Sequence, residues 1–384
     1  MADTGDALTV RMVERIAEID AASWDACAGA GNPFLTHAFL HALEESRSAT
    51  GRTGWLPRHL VAEDSAGRVV GCVPLYLKSH SYGEYVFDHG WAEAYARAGG
   101  RYYPKLQVAV PFTPVPGPRL LAPLPVTKRA LAAALARSAE ELGVSSLHVT
   151  FCTAEEAQLL AEAGFLLRRG FQYHWENRGY RAFDDFLAAL NHAKRKQIRR
   201  ERREVAASGV ELVTLSGAEI GATHWDAFFR FYISTSDRKW GDPYLTRDFF
   251  ARLQGSMADR VALVMARRDG QWVAGALNLI GDAALYGRNW GCSVDVPFLH
   301  FEACYYRALD FAIARGLARV EAGAQGEHKL PRGYLPVATH SAHWIRDAGF
   351  ARAVADFLRR EGDQVDRTIA ALAAHTPYRA ASAE

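Results

Sequence analysis

The chain has 384 residues, too many for one ordinary core, because domains cluster near ~100–150 residues and divide beyond ~250–300. Hydrophobic residues make up 49% and charged residues 23%, which excludes a disordered tail, a collagen-like repeat or a disulfide scaffold and predicts two fully folded domains. The 45 basic and 43 acidic residues nearly cancel, so the net charge of +2 selects no partner and only the distribution of charge can.

The opening "MADTGDALTVRMVERIAEID" breaks up its apolar residues with charges, and no later stretch nears the ~20 uninterrupted apolar residues of a membrane helix. A cytoplasmic protein with no membrane span is expected. Cys27, Cys72, Cys152, Cys292 and Cys304 are odd in number and never paired as C-x-x-C, which suits reduced, mostly buried thiols.

Segment 59–78, "HLVAEDSAGRVVGCVPLYLK", sets two apolar runs about an acidic-plus-Gly turn and predicts a hairpin. Residues 79–119 are rich in aromatics and proline. With Lys78 they bring His80, Tyr82, Glu84, Asp88, Tyr103 and Lys105 into one stretch. It reads either as a surface loop packed by its own aromatics or as a pocket wall, since a continuing strand would send Lys78, His80 and Tyr82 to one face. "LAAALARSAEELGVSSLHVTF" (131–151) predicts an amphipathic helix, a glycine stop and a strand, and "AQLLAEAGFLLR" (157–168) runs a helix into Ala-Gly-Phe.

A domain boundary is placed near residue 175. Residues 183–209, "FDDFLAALNHAKRKQIRRERREVAASG", then predict one helix that opens the second domain and stops near Ser208-Gly209. Seven of the ten residues Lys194–Arg203 are Lys or Arg. Lys194, Arg195, Arg199 and Arg200 are candidates for tracking the phosphates of a nucleic acid, with a solvated arm as the competing reading.

The second half echoes the first. A hairpin at 262–281, a helix-glycine-strand unit at 305–323 and a helix into Ala-Gly-Phe at 340–353 follow in the same order, which predicts a duplication. The first copy carries an insertion of about thirty residues within 79–119, and the second inserts "EAGAQGEHKLPRGYLP" (321–336). Insertions on a rigid scaffold become loops where sites gather, so one cleft lined by both is expected.

This order is an α/β (α+β) plan with a mixed sheet. With "HSYGEYVFDHGWAEAY", "YYPKLQVAVPFTPVPGPRLL", "FLHFEACYY" and the 321–336 loop, the chain resembles, over nearly its whole length, the Fem peptidyltransferases and especially the FemAB-like family of peptidoglycan biosynthesis/recognition. The resemblance implies two tandem GNAT-like domains, 1–175 and 176–384, with mixed, mostly antiparallel sheets. It also implies N-acyl or aminoacyl transfer to the amino group of a small-molecule, peptide or cell-wall-related acceptor. The donor would be an aminoacyl-tRNA or an acyl-CoA, with tRNA a further partner and no tightly bound cofactor. A non-catalytic module that recognises a peptidoglycan-like or amino-acid ligand is the alternative. Fem-type enzymes place an active-cleft lysine in an F-K-x-x-F-G-like element after the strand that follows the long helix. "HKLPRG" keeps that spacing, which implies an active-site role for Lys329, although His328 and Arg332 stand where the aromatics would be.

Acyl transfer to an amine needs proton removal, oxyanion stabilisation and alignment. Glu327 or His328 could take the proton, and Lys329 or Arg332 could face the oxyanion or a phosphate, with Gln325 beside them. An exposed ion pair of Glu327 with Lys329 or Arg332 is the competing reading. "RNWGCS" (288–293) only weakly matches the R/Q-x-x-G-x-G/A loop on which GNAT enzymes hold pyrophosphate, because "VDVPFL" separates it from the next helix. Weak or absent coenzyme A binding is expected, with Arg288 kept as a substrate contact. His340 and His343 form H-x-x-H rather than the zincin pair, and no metal site is expected. Cys292 and Cys304 show no base partner in sequence, which argues against a nucleophile.

Overall fold

In the computed structural model, residues 8–239, 243–323 and 326–379 are described. Strands β1 (Thr9–Val13), β2 (Trp55–Pro57), β3 (His59–Glu63), β4 (Val69–Val73), β5 (Leu75–Lys78), β6 (Lys105–Val108) and β7 (Ser146–Cys152) come first. Then follow β8 (Leu166–Glu176), β9 (Glu211–Ser216), β10 (Val261–Arg268), β11 (Gln271–Ile280), β12 (Ala284–Cys292), β13 (Arg319–Glu321) and β14 (Leu335–Ile345). They belong to two compact units, one reaching Gly170 and taking in Ala338–Asp366, the other holding Phe171–Val337 and the chain from Arg367. Among the described residues no helix is long and apolar enough to cross a membrane.

In the first unit β1, β3 and β4 form an antiparallel sheet, and β2-β5-β6-β7-β14 line up in a second row. The predicted hairpin is β3–β4, with Ala62 opposite Gly71. β6 and β7 run parallel, with the crossover helix Pro125–Glu141 between them in sequence. Leu131 and Leu135 of that helix pack on Val73, Leu75, Leu106, Val108, Leu147 and Val149, so its apolar stripe covers the sheet face.

The second unit repeats this order. β9, β10, β11 and β12 are antiparallel, with the predicted hairpin at β10–β11, and β12 runs parallel to β13. The helix Arg307–Ala314 leads into β13, and Leu309, Ala312 and Ile313 pack with Leu285 and Val320. Each unit thus has a hairpin, a parallel pair and an antiparallel end strand, the plan of two tandem GNAT-like units.

The end strands explain where the sequence reading fails. β8 follows β7 in the chain yet pairs with β13, Val320 opposite Trp175. β14 follows β13 yet pairs with β7, Ala342 opposite Val149. The single boundary near 175 is therefore replaced by crossings after 170, 337 and 366. The third echo is also corrected. At 163–165 Ala-Gly-Phe closes a helix, but "HSAHWI" is strand, and the second Ala-Gly-Phe opens the helix Ala348–Ala374, where the Asp347 carboxylate accepts from the Phe350 N–H at 2.7 Å.

The helix expected over 183–209 is two, Phe183–Ala189 and His192–Ala207. Leu190 is extended and bridges to Tyr378, and the Asn191 side chain accepts from the Lys194 N–H at 3.0 Å as an N-cap. Asn191→Ala should therefore lower stability by about 1 kcal/mol, read from the urea midpoint. An unchanged midpoint would show that the cap contributes nothing.

Candidate functional site

The parallel pair of the second unit opens early. β12 and β13 pair only as far as Tyr286 opposite Glu321, where β13 ends, while β12 continues along β11 to Cys292. Leu277 pairs with Asn289 and Asn278 with Gly287, so Arg288 is the extra residue of a β-bulge. A bulge re-aims the side chain it carries. At this parting lies a cavity of about 90 Å³, lined among others by Asn278, Arg288, Asn289, Trp290, His300, Cys304, Tyr305 and Ala322. "RNWGC" is thus strand, its backbone paired to β11, and it forms no amide cradle for a pyrophosphate.

The helix after β12 starts at Leu299 and passes through a π-turn at Glu302–Tyr306. Such turns add a residue to the helical repeat and recur at functional sites. Here the turn carries Cys304 and Tyr305 into the cavity wall.

The 321–336 loop folds as a 3-10 turn over Glu327–Arg332. Lys329 is 2% exposed and donates to the Gly323 carbonyl at 2.8 Å. Burial pushes its ammonium down to about 8, with neighbouring Cys304 acting in the opposite direction. The Tyr305 hydroxyl and His328 Nε2 share a hydrogen bond of 2.8 Å. Glu327 is exposed, and Gln325 lies outside the described residues.

Arg332, expected on the substrate, turns inward instead. Its guanidinium donates to both Glu201 oxygens at 2.9 and 2.8 Å and to the His328 carbonyl at 2.6 Å, and lies 3.4 Å from the Phe301 ring centroid. The Tyr306 hydroxyl also donates to Glu201. A buried guanidinium must find such partners or lose its solvation uncompensated. The glycines serve packing in the same way. Gly326, at φ +117°, sits where a Cβ would come within 2.4 Å of the His328 ring, and one at Gly333 (φ +90°) would come within 2.7 Å of Phe186.

The candidates from residues 78–105 belong to the first unit, and most are interior. Lys105 is fully buried and donates to Ser81 Oγ at 2.8 Å, Glu84 Oε2 at 2.7 Å and Asp88 Oδ2 at 2.5 Å. Burial alone would raise the Asp88 carboxyl, but Lys105 and then His148 hold it below its usual range. Burial likewise opposes the Lys105 charge, yet Glu84 and Asp88 outweigh it and raise its pKa. Lys78 is also buried, 3.6 Å from the Trp55 ring centroid, and donates to the Tyr82 carbonyl at 3.2 Å. Its nearest carboxylate oxygen, on Glu84, is 3.8 Å away, and burial pushes it down to about 7. Tyr103 bonds Ser81 at 2.8 Å. β5 ends at Lys78, so the expected alternation fails, and Tyr82 is 62% exposed beside His80. Behind the cluster His148 and His343 meet Nδ1 to Nδ1 at 2.6 Å. Burial holds both imidazoles below their ordinary pKa, so one neutral ring donates to the other.

The basic helix shows two faces. Ile198, Glu201 and Val205 point inward, and Arg202 bonds Glu302 at 3.0 Å and Asp310 at 2.7 Å. Arg199 and Arg200 are exposed, loosely paired with Asp184 at 3.3 Å and Glu204 at 3.4 Å, while Lys194 and Arg195 are half-buried. Arg199, Arg202 and Arg203 edge a surface groove floored by Phe183 and Leu187.

The model of the FemAB-like family, described as peptidoglycan biosynthesis/recognition, matches residues 15–380. The chain belongs to the FemAB-like family. Among solved structures its fold is similar to FemX, at 11% identity and TM-score 0.55 over 90% of this chain and 100% of that one. It is also similar to the C-terminal domain of a putative lysylphosphatidylglycerol synthetase from Agrobacterium fabrum, at 9% identity and TM-score 0.56 over 88% and 95%. L-PGS from Bacillus licheniformis follows at 11% identity and TM-score 0.51 over 83% and 95%. At these identities the likeness is one of fold. No curated protein matches the sequence.

The two units of this FemAB-like chain use their parallel pairs differently. Past Val108 opposite Val149, the carbonyls of Thr150 and Phe151 accept from Arg119 Nε at 2.9 Å and the Gly117 N–H at 3.0 Å, so the segment before β7's helix fills that edge. The second unit leaves its parting open. Sequence reasoning missed several residues there, Asn278, Trp290, His300 and Tyr305, with Glu201 behind them, and it had set Cys304 aside for want of a base partner. One signal was legible, because Ile198, Glu201 and Val205 recur at helical spacing, which puts the lone acid of "RRERR" on the apolar face.

Proposed function

We propose that the protein is an N-acyl or aminoacyl transferase that holds its acyl donor in the opening between β12 and β13 and passes the acyl group to an amine on a peptidoglycan-related acceptor. The observation that carries this reading is the open strand pair with the bulged Arg288 on its wall and the Lys329 loop beside it. Lys329 is the group suited to developing negative charge, since a preorganised cation in a site of low dielectric acts strongly on an oxyanion. Glu327 and His328 are both exposed, but His328 is held by Tyr305 at 2.8 Å and is the better placed of the two to take the amine proton. Because "RNWGC" is paired strand, an aminoacyl-tRNA is favoured over an acyl-CoA, and the exposed face of the basic helix suits a polyanion.

The test supplies radiolabelled aminoacyl-tRNA or acetyl-CoA together with an amine-bearing peptidoglycan stem peptide. An amide product is expected from aminoacyl-tRNA and should be lost in Arg288→Ala. Arg199→Glu with Arg200→Glu should weaken tRNA binding and flatten its salt dependence without unfolding the protein. Absence of product from both donors, with calorimetric binding of the stem peptide retained, would make the protein a recognition module instead.

A further inference from the structure

The cavity wall holds a nucleophile that the proposed reaction has not used. Cys304 lines the opening on the π-turn, between the β12 side, with Arg288 and Asn289, and the Tyr305 side. Two buried groups lie within its electrostatic reach. The first is the Lys329 ammonium. The second is the Tyr334 hydroxyl, which is fully buried and has no hydrogen-bond partner among the described residues. A cation beside a thiol favours the thiolate, the form that attacks carbonyl carbon. An unsatisfied phenol in the interior is costly, and this one stands behind Tyr305 of the cavity wall, their ring centroids 5.6 Å apart. Cys292, on β12, is not among the residues that line the cavity.

We propose that Cys304 is the acyl-accepting nucleophile of this site, forming a thioester with the donor's acyl group before the acceptor amine takes it. The inference rests on the transferase reading above. The Cys304 thiol gives its proton to His328, and the thiolate, paired with Lys329, attacks the donor carbonyl. The S–C bond forms, the C–O bond of an ester donor breaks, and the leaving oxygen takes the proton from His328. The acceptor amine then attacks the thioester and passes a proton to His328. The C–N bond forms, the C–S bond breaks, and the departing thiolate recovers that proton. Lys329 stays an ammonium throughout, and the sum is one ester and one amine converted to one amide and one alcohol.

The probe is p-nitrophenyl acetate, an activated ester with a small acyl group, followed by intact-mass and peptide mass spectrometry. One acetyl group on Cys304 is expected, with a burst of p-nitrophenolate. The adduct should be lost in Cys304→Ala and Cys304→Ser, kept in Cys292→Ala, and formed about tenfold or more slowly in Lys329→Ala. A single cooperative thermal transition in each variant shows that it is folded. No adduct on Cys304, an adduct only on another residue, or a Cys304→Ala protein that transfers from aminoacyl-tRNA at the wild-type rate each overturns the proposal. The last outcome leaves the transferase reading intact with direct transfer. Acetylation of Cys304 without capture by any stem-peptide amine would instead uphold the nucleophile and sink the transferase reading.

Discussion

Lys329→Ala is expected to lower transfer turnover on the order of 100-fold or more, the usual cost of removing a preorganised group that stabilises charge in the transition state. The side chain is 2% exposed and its one described bond is to the Gly323 carbonyl, so the change leaves that carbonyl without its donor. The structural cost should stay near ~1–3 kcal/mol, far below the catalytic one if Lys329 acts on substrate. The pH profile separates the two roles. Burial lowers the lysine from its ordinary 10.5 to about 8, so the required ammonium is lost as pH rises through about 8 and turnover should fall there. Lys329→Arg stays charged and should carry the plateau to higher pH if it retains activity. Stability moves the other way. Between about 8 and 10.5 the unfolded chain binds a proton that the folded chain has released, so the contribution of this residue to stability rises with pH. A Lys329→Ala protein with full turnover and a lowered melting point would make the residue structural.

The sequence made the local elements legible and left their partners hidden. Both hairpins announce themselves through Gly-containing turns between apolar runs, and both helix-glycine-strand units through their amphipathic spacing. Nothing local tells β8 to pair with β13, or β14 with β7, because a strand's pattern states which face is apolar and not which edge lies beside it. The same limit governs the site. The loop "GEHKLPRG" stood out by its density of functional groups, but charge alone could not say that Lys329 and Arg332 would be buried. The environment of Arg332 comes from Glu201, Tyr306 and Phe301, which lie far away in the chain. Cys304 likewise gains its surroundings from Lys329 and Tyr334 only when the π-turn and the loop meet.

Lys105→Met is expected to destabilise the first unit by ~3–5 kcal/mol, because it leaves two buried carboxylates, Glu84 and Asp88, without the ammonium that bridges them. Lys78→Met, at an equally buried position, should cost under ~1.5 kcal/mol. The difference lies in what each ammonium holds. Lys105 makes three short bonds, whereas Lys78 gives one to the Tyr82 carbonyl at 3.2 Å and stands 3.8 Å from Glu84, beyond hydrogen-bond reach. Burial has already brought Lys78 down to about 7, so near neutral pH methionine replaces a side chain that is often uncharged. The wild type should gain stability as pH rises from about 7 towards 10.5, since the unfolded chain keeps a proton on Lys78 that the folded chain gives up. That slope should flatten in Lys78→Met. Urea unfolding of both variants at mildly acidic and mildly alkaline pH reads all of this, and equal losses for the two would show that Lys105 does not hold the carboxylates together.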